Sequence, residues 1–153
     1  MGTLEIVVVG AGPQLDDARR LAESHRWISF TGYLPPTEVL AQFEKAHVAA
    51  LSSNGFDNQP MTIVEALFAR RGVFYVDPAL AESLHDAGIL ASSPDEAGIT
   101  STLIRLVQNR EIVCALSRHA DAAFEQFTPA HFTQRVEKVY SRALADTGVA
   151  VDQ

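Results

Sequence analysis

Apolar residues along this chain alternate between short, dense runs and longer stretches with helical spacing. Leu4-Glu5-Ile6-Val7-Val8-Val9 is an almost unbroken β-branched run that stops at Gly10-Ala11-Gly12-Pro13. Continuous rather than alternating hydrophobicity predicts a strand covered on both faces, as in a parallel sheet. From Gln14 to Ser24, Leu15, Ala18, Leu21 and Ala22 recur at helical spacing, with Asp16, Asp17, Arg19, Arg20 and Glu23 on the other face. Trp27-Ile28-Ser29-Phe30 predicts a second strand, closed by Thr31-Gly32-Tyr33-Leu34-Pro35-Pro36, and Glu38–Ala46 a helix with Val39, Leu40 and Phe43 inward. Val48-Ala49-Ala50-Leu51 predicts a third strand, ending in Ser52-Ser53-Asn54-Gly55.

The pattern repeats. A polar loop over Phe56–Gln59 leads into a helix that opens at Pro60 and runs to about Arg70, proline being harmless in the first turn because its missing N–H has no partner there. Val73–Val76 is the fourth strand, followed by a short helix over Ala79–His85 and a brief fifth strand at Ile89-Leu90. Ser93-Pro94-Asp95-Glu96 reads as a capping box that starts a helix ending near Gln108. Two more helices, Ile112–Phe124 and Ala130–Ala145, complete the chain; the last places Phe132, Val136, Val139, Tyr140 and Ala143 on one stripe behind the opening signal Thr128-Pro129. Strands alternating with helices predict a single α/β domain over residues 1–153, with a three-layer, Rossmann-like parallel sheet, a core over 3–145 and a frayed tail over 146–153.

Composition narrows the chemistry. With 47% apolar and 20% charged residues the chain has the balance of a folded domain. No apolar run approaches the ~20 residues of a membrane-spanning helix, and no basic-then-apolar leader opens the chain. The single cysteine, Cys114, cannot form an internal disulfide and fits a reducing compartment, so a cytoplasmic location is expected. A net charge of −7 argues against nucleic acid as a partner. It also means that a bound diphosphate would have to be held by backbone N–H groups or by cations from elsewhere.

In parallel α/β sheets, ligands sit beyond the carboxyl ends of the strands. Three such ends carry unusual residues: Gly10–Pro13, Thr31–Leu34 and Ser52–Pro60. Gly10-Ala11-Gly12 resembles the start of a dinucleotide fingerprint, but Leu15 stands where the third glycine belongs, Pro13 interrupts the turn, and no acidic residue closes the second strand. Gly10 and Gly12 are read instead as a tight turn beside a ligand, and a nicotinamide site is rejected. The segment Asp57–Leu67 is the most informative. Amides near Met61 and Thr62, at a helix start, can hold a phosphate without a cationic side chain. Glu65, just over one turn on, can accept the two hydroxyls of a ribose, and Asp57 lies where a sugar beyond the phosphates would sit. The competing reading makes Asp57 a helix cap and leaves Glu65 in solvent. Two carboxylates bracketing one helix start, on the expected rim, favour the ligand.

These residues also resemble a family. Asp57 and Glu65, separated by seven residues, are similar to the paired-carboxylate motif of retaining GT-B glycosyltransferases, the glycosyl transferases group 1 (family 4) class, in which the first residue is usually Glu. Ile6–Pro13, Phe30–Leu34, Ser52-Ser53, Glu82, Phe127-Thr128 and Tyr140 resemble the flanking motifs in unbroken order. The resemblance implies the C-terminal, donor-binding half of a GT-B fold. It implies that Tyr33 and Leu34 meet the base through their backbone, that the Met61 and Thr62 amides meet the pyrophosphate, that Glu65 meets the ribose, and that Asp57, Asn58 and Gln59 meet the donor sugar. Asp57 and Glu65 are the candidate catalytic pair, with Asp57 positioning the sugar rather than attacking it. Transfer in the family passes through an oxocarbenium-like transition state, in which the leaving phosphate is often considered to deprotonate the acceptor hydroxyl.

Three departures stand out. Asp57 is one methylene shorter than the usual Glu. Arg70-Arg71-Gly72-Val73 replaces Gly-x-Pro-Val. The family's donor domain normally begins one strand-helix unit earlier, with an Arg and a Lys that neutralise the diphosphate, and its acceptor-binding domain is absent here. Arg70 and Arg71, at the far end of the motif helix, are expected to be solvated. The chain is therefore expected to be a fragment or one part of a split enzyme, inactive in isolation, with peripheral membrane contact possible through the missing half. A nucleotide-sugar donor is the expected partner, without a separate cofactor. No metal is expected, because His25, His47, His85, His119 and His131 show no ligand spacing. Two rival readings stay open: half of a nucleotide-sugar epimerase, and a non-catalytic nucleotide-binding or interaction domain.

Overall fold

The computed structural model describes residues 4–55 and 60–147. Strand β1 (Ile6–Val9), helix α1 (Leu15–Ala22), β2 (Ile28–Gly32), α2 (Pro36–Lys45), β3 (Val48–Leu51), α3 (Met61–Phe68) and β4 (Gly72–Tyr75) alternate as the hydrophobic pattern predicts. A 3₁₀ turn at Pro78–Leu80 leads into α4 (Ala81–Leu84), and β5 (Gly88–Leu90), α5 (Glu96–Gln108), α6 (Arg110–Phe124) and α7 (Pro129–Thr147) follow. All strand pairings in named ladders are parallel, which upholds the α/β, Rossmann-like reading.

The sheet is in two pieces. β1 pairs with β2, and β4 lies between β3 and β5, but no ladder among the described residues joins β1 to β3. β4 shows why its half holds together. Its side chains alternate across the sheet. Val73 and Tyr75 enter one core with Ile63, Ala66 and Leu67 of α3 and Ala120 and Ala123 of α6. Phe74, and Val76 just beyond the strand, enter a second core with Ile89, Leu106 and Leu116. All four residues of β4 are buried, as the continuous apolar run requires.

β1 departs from the same expectation. Its run is as apolar, yet Val7 and Val8 are exposed at 48% and 37%, so neither face is covered. No residue from 4 to 48 is buried. Leu21, expected inward on α1, is 82% exposed. The stripe on α7 forms as a helical face but stays uncovered, with Phe132, Val139 and Tyr140 all exposed.

Local start and stop signals need smaller corrections. α5 is capped by Asp95, whose carboxylate accepts the Gly98 N–H at 2.8 Å, while Ser93 donates its hydroxyl to Asp95 at 2.6 Å. The capping serine of the sequence reading is thus a brace for the true cap. α3 ends in a Schellman motif, in which the Arg70 and Arg71 N–H groups bond the Leu67 and Ala66 carbonyls. Arg70 takes the left-handed conformation there, with φ 59°, at the position where the resemblance expects glycine. Gly72 has a different reason: any side chain at that position would collide with Leu116, because α6 crosses the start of β4.

Candidate functional site

Two glycines join the ends of β1 and β2. Gly10 donates its N–H to the Gly32 carbonyl at 2.9 Å, and both have positive φ, 126° and 70°. Open space surrounds the missing Cβ of each, so conformation rather than crowding selects glycine. The Thr31 hydroxyl donates to the Gly32 carbonyl at 2.9 Å. From this junction Tyr33 projects, 78% exposed, and half-buried Leu34 leads through Pro35 into α2. Gly12 is exposed and receives the Leu15 N–H at 3.1 Å as α1 begins.

The second part of the rim is the start of α3. Its N-cap is Pro60, buried and extended (φ −65°, ψ 131°), not the first helical residue the sequence suggested. Proline has no side-chain acceptor. Among the described residues no capping side chain reaches the first-turn amides, and the Ile63 N–H turns back to the Pro60 carbonyl at 3.0 Å. That leaves the Met61 and Thr62 amides at the positive end of the helix dipole. Met61 is 65% exposed beside them. Asp57, Asn58 and Gln59 lie outside the described residues.

Glu65 sits one turn further along α3, half-buried. It lines a groove of about 350 Å³ together with Pro36, Thr37 and Leu40 from the start of α2, Val64 and Phe68 of α3, and Phe124 of α6. Phe68 and Phe124 close one end as a tilted ring pair 5.5 Å apart. Among the described residues no cation pairs with Glu65. The fold thus sets Glu65 in one groove with Pro36 and Thr37 at the start of α2, while Tyr33 and Leu34, expected beside the base, do not line it. Glu82 is exposed in the first turn of α4.

Arg71 does not stand free in solvent as expected. Its guanidinium donates to the Phe43 and Glu44 carbonyls at 3.1 and 2.7 Å, holding the last turn of α2, while exposed Arg70 pairs with Asp121 at 3.1 Å. More generally, all 12 Lys and Arg residues fall within helices or on connections that lead from a helix to a strand. In a parallel sheet those connections lie on the rim opposite the strand ends. No described group of three or more His, Cys, Asp and Glu could hold a metal ion, and no described helix is long and apolar enough to cross a membrane.

Asp77 escaped the sequence reading. It follows β4 at the same rim, is only 8% exposed, and accepts the Gly55 N–H at 2.7 Å and the Ala79 N–H at 2.9 Å. Those two bonds, Gly55 first, hold its pKa below the usual carboxylate value. The available signal was Asp-Pro directly after a predicted strand, a capping signature at a strand's carboxyl end.

A family model described as Glycosyl transferases group 1 matches residues 2–109. Among solved structures, the sucrose-phosphate synthase from Thermosynechococcus elongatus superposes with a TM-score of 0.72 over 93% of this chain, at 13% identity. That likeness concerns the fold, and this chain spans only 39% of that structure's length. No curated protein matches.

Proposed function

Because the chain belongs to the glycosyl transferases group 1 family, we propose that it is the donor-binding domain of a retaining glycosyltransferase that takes its sugar from a nucleoside-diphosphate sugar. The observation that carries this reading is the start of α3, which no described side chain caps, set one turn from Glu65, in a groove shared with the start of α2. In this reading the diphosphate accepts the Met61 and Thr62 N–H groups, where the helix dipole favours negative charge. Glu65 accepts the ribose hydroxyls, and the base lies against the Tyr33-Leu34 backbone, with Gly10 and Gly12 at the neighbouring strand end. Asp57, Asn58 and Gln59 hold the sugar, and Asp57 with Glu65 forms the catalytic pair. Arg26, Arg70 and Arg71, on connections that lead from a helix to a strand, lie on the rim opposite the strand ends. Charge on the departing diphosphate is stabilised in this reading by the backbone dipoles at the start of α3.

The test is a thermal-shift screen with UDP-, GDP- and ADP-linked sugars. One of them, at 100 times its dissociation constant, should stabilise the chain by about 2.7 kcal/mol. Glu65→Ala should remove most of that shift while leaving the ligand-free midpoint close to the original. A panel without any shift would refute the donor reading.

A further inference from the structure

α2 belongs to the region in which no described side chain is buried, yet its first half supplies Pro36, Thr37 and Leu40 to the groove at Glu65. What holds it there lies at its other end. Half-buried Phe43 packs against the core shared by β4, α3 and α6, and Arg71 binds the last turn. Arg71 Nε donates to the Phe43 carbonyl at 3.1 Å, and Nη2 donates to the Glu44 carbonyl at 2.7 Å. A helix end leaves such carbonyls short of partners within the helix, and its dipole favours a cation there. The backbone of the same residue is fixed to α3, because its N–H bonds the Ala66 carbonyl at 2.8 Å. Arg71 is thus a clamp between two helices. Among the described residues no other hydrogen bond or ion pair ties α2 to α3, α6 or β4. From Glu44 back to Pro36 the axis runs about 12 Å, so a tilt of about 5° at the clamp shifts the start of α2 by about 1 Å.

We propose that Arg71 is a positioning residue for the nucleoside: by clamping α2 to α3 it sets the width of the groove at Glu65. This rests on the donor reading above. It adds that affinity for the ribose and base is controlled from the rim opposite the strand ends, by a residue that touches no ligand. The neighbouring Arg70 provides the contrast. It carries the same charge at the same end of α3, but it pairs with Asp121 of α6 and has no bond to α2.

Three variants separate this role from long-range charge and from stability. Arg71→Met keeps an apolar stem and removes every donor. Arg71→Lys keeps the charge but loses the fork that reaches two carbonyls. Arg70→Met removes the same charge without touching the clamp. Calorimetric titrations with UDP, GDP and ADP would be run well below each variant's unfolding midpoint, where lost stability alone leaves the dissociation constant unchanged. Arg71→Met should weaken whichever nucleoside diphosphate binds by about tenfold, and Arg71→Lys by an intermediate factor. Arg70→Met should change it by less than about threefold. Equal losses for Arg71→Met and Arg70→Met, or no loss for Arg71→Met, would overturn the assignment. Should Arg71→Met fail to fold, Arg71→Lys compared with Arg70→Met decides by the same criterion. If the unmodified chain binds none of the three, the donor reading falls and takes this one with it. If it binds and the Arg71 variants match Arg70→Met, only the role of Arg71 falls.

Discussion

Val7 in β1 and Val73 in β4 occupy the same position in two four-residue parallel strands of similar composition, yet one is 48% exposed and the other 1%. The difference extends to their surroundings. β4 has a strand on each side, α3 and α6 on one face and α5 with Leu116 on the other. β1 has only β2 beside it, and nothing among the described residues buries either of its faces. An apolar run records the environment a strand requires, whereas its packing depends on which other elements reach it. The folding free energy of this chain should accordingly reside in residues 49–123, where all the buried hydrophobic side chains among the described residues lie.

Substitutions on the two sides can break that comparison. The largest effect is expected for Leu67→Ala, which removes a fully buried side chain between β4 and α6 and should cost about 3 kcal/mol in urea denaturation. The equally apolar Val8→Ala in β1 should cost about 0.5 kcal/mol or less. Similar losses at both positions would show that the first region is packed in solution. Arg70→Gly should stabilise by about 1 kcal/mol, because it relieves a left-handed arginine in the Schellman turn. Its exposed partner Asp121 offsets little of this. A loss of stability would mean that the ion pair outweighs the backbone strain.

Acid tests the comparison most finely. Asp77 and Asp95 both lie in the second region, and both have folded pKa values below that of an ordinary aspartate. For Asp77 the cause is the Gly55 N–H and then the Ala79 N–H; for Asp95 it is the Ser93 hydroxyl and then the Gly98 N–H. A lowered folded pKa contributes stability that is complete above the unfolded value and is lost as pH falls through the folded one. Midpoints measured downward from about pH 5 should therefore drop most below about pH 4. Asp95→Asn, which already lacks the charge, should flatten that drop.

Much of the candidate site could be read along the chain. The turn at Gly10–Pro13, the β2 end at Gly32-Tyr33-Leu34 and the helix carrying Glu65 are each marked by their own neighbours: a β-branched run that stops, a glycine that turns the chain, a proline before an apolar period. The tie between Asp77 and Gly55 was not legible, because the two lie 22 residues apart. Arg71 was misread for the same reason. Nothing near position 71 indicates that its guanidinium closes the end of α2.

The sequence by itself determined the order, type and approximate limits of the strands and helices, since periodicity, caps and turn residues act over four or five positions of one chain segment. Only the tertiary structure decided that the sheet divides between β1 and β3, that Gly72 makes room for Leu116, and that one carboxylate ties the β3 loop to the β4 turn. These outcomes depend on groups far apart in the chain meeting in space, and such meetings leave no periodic trace in the sequence.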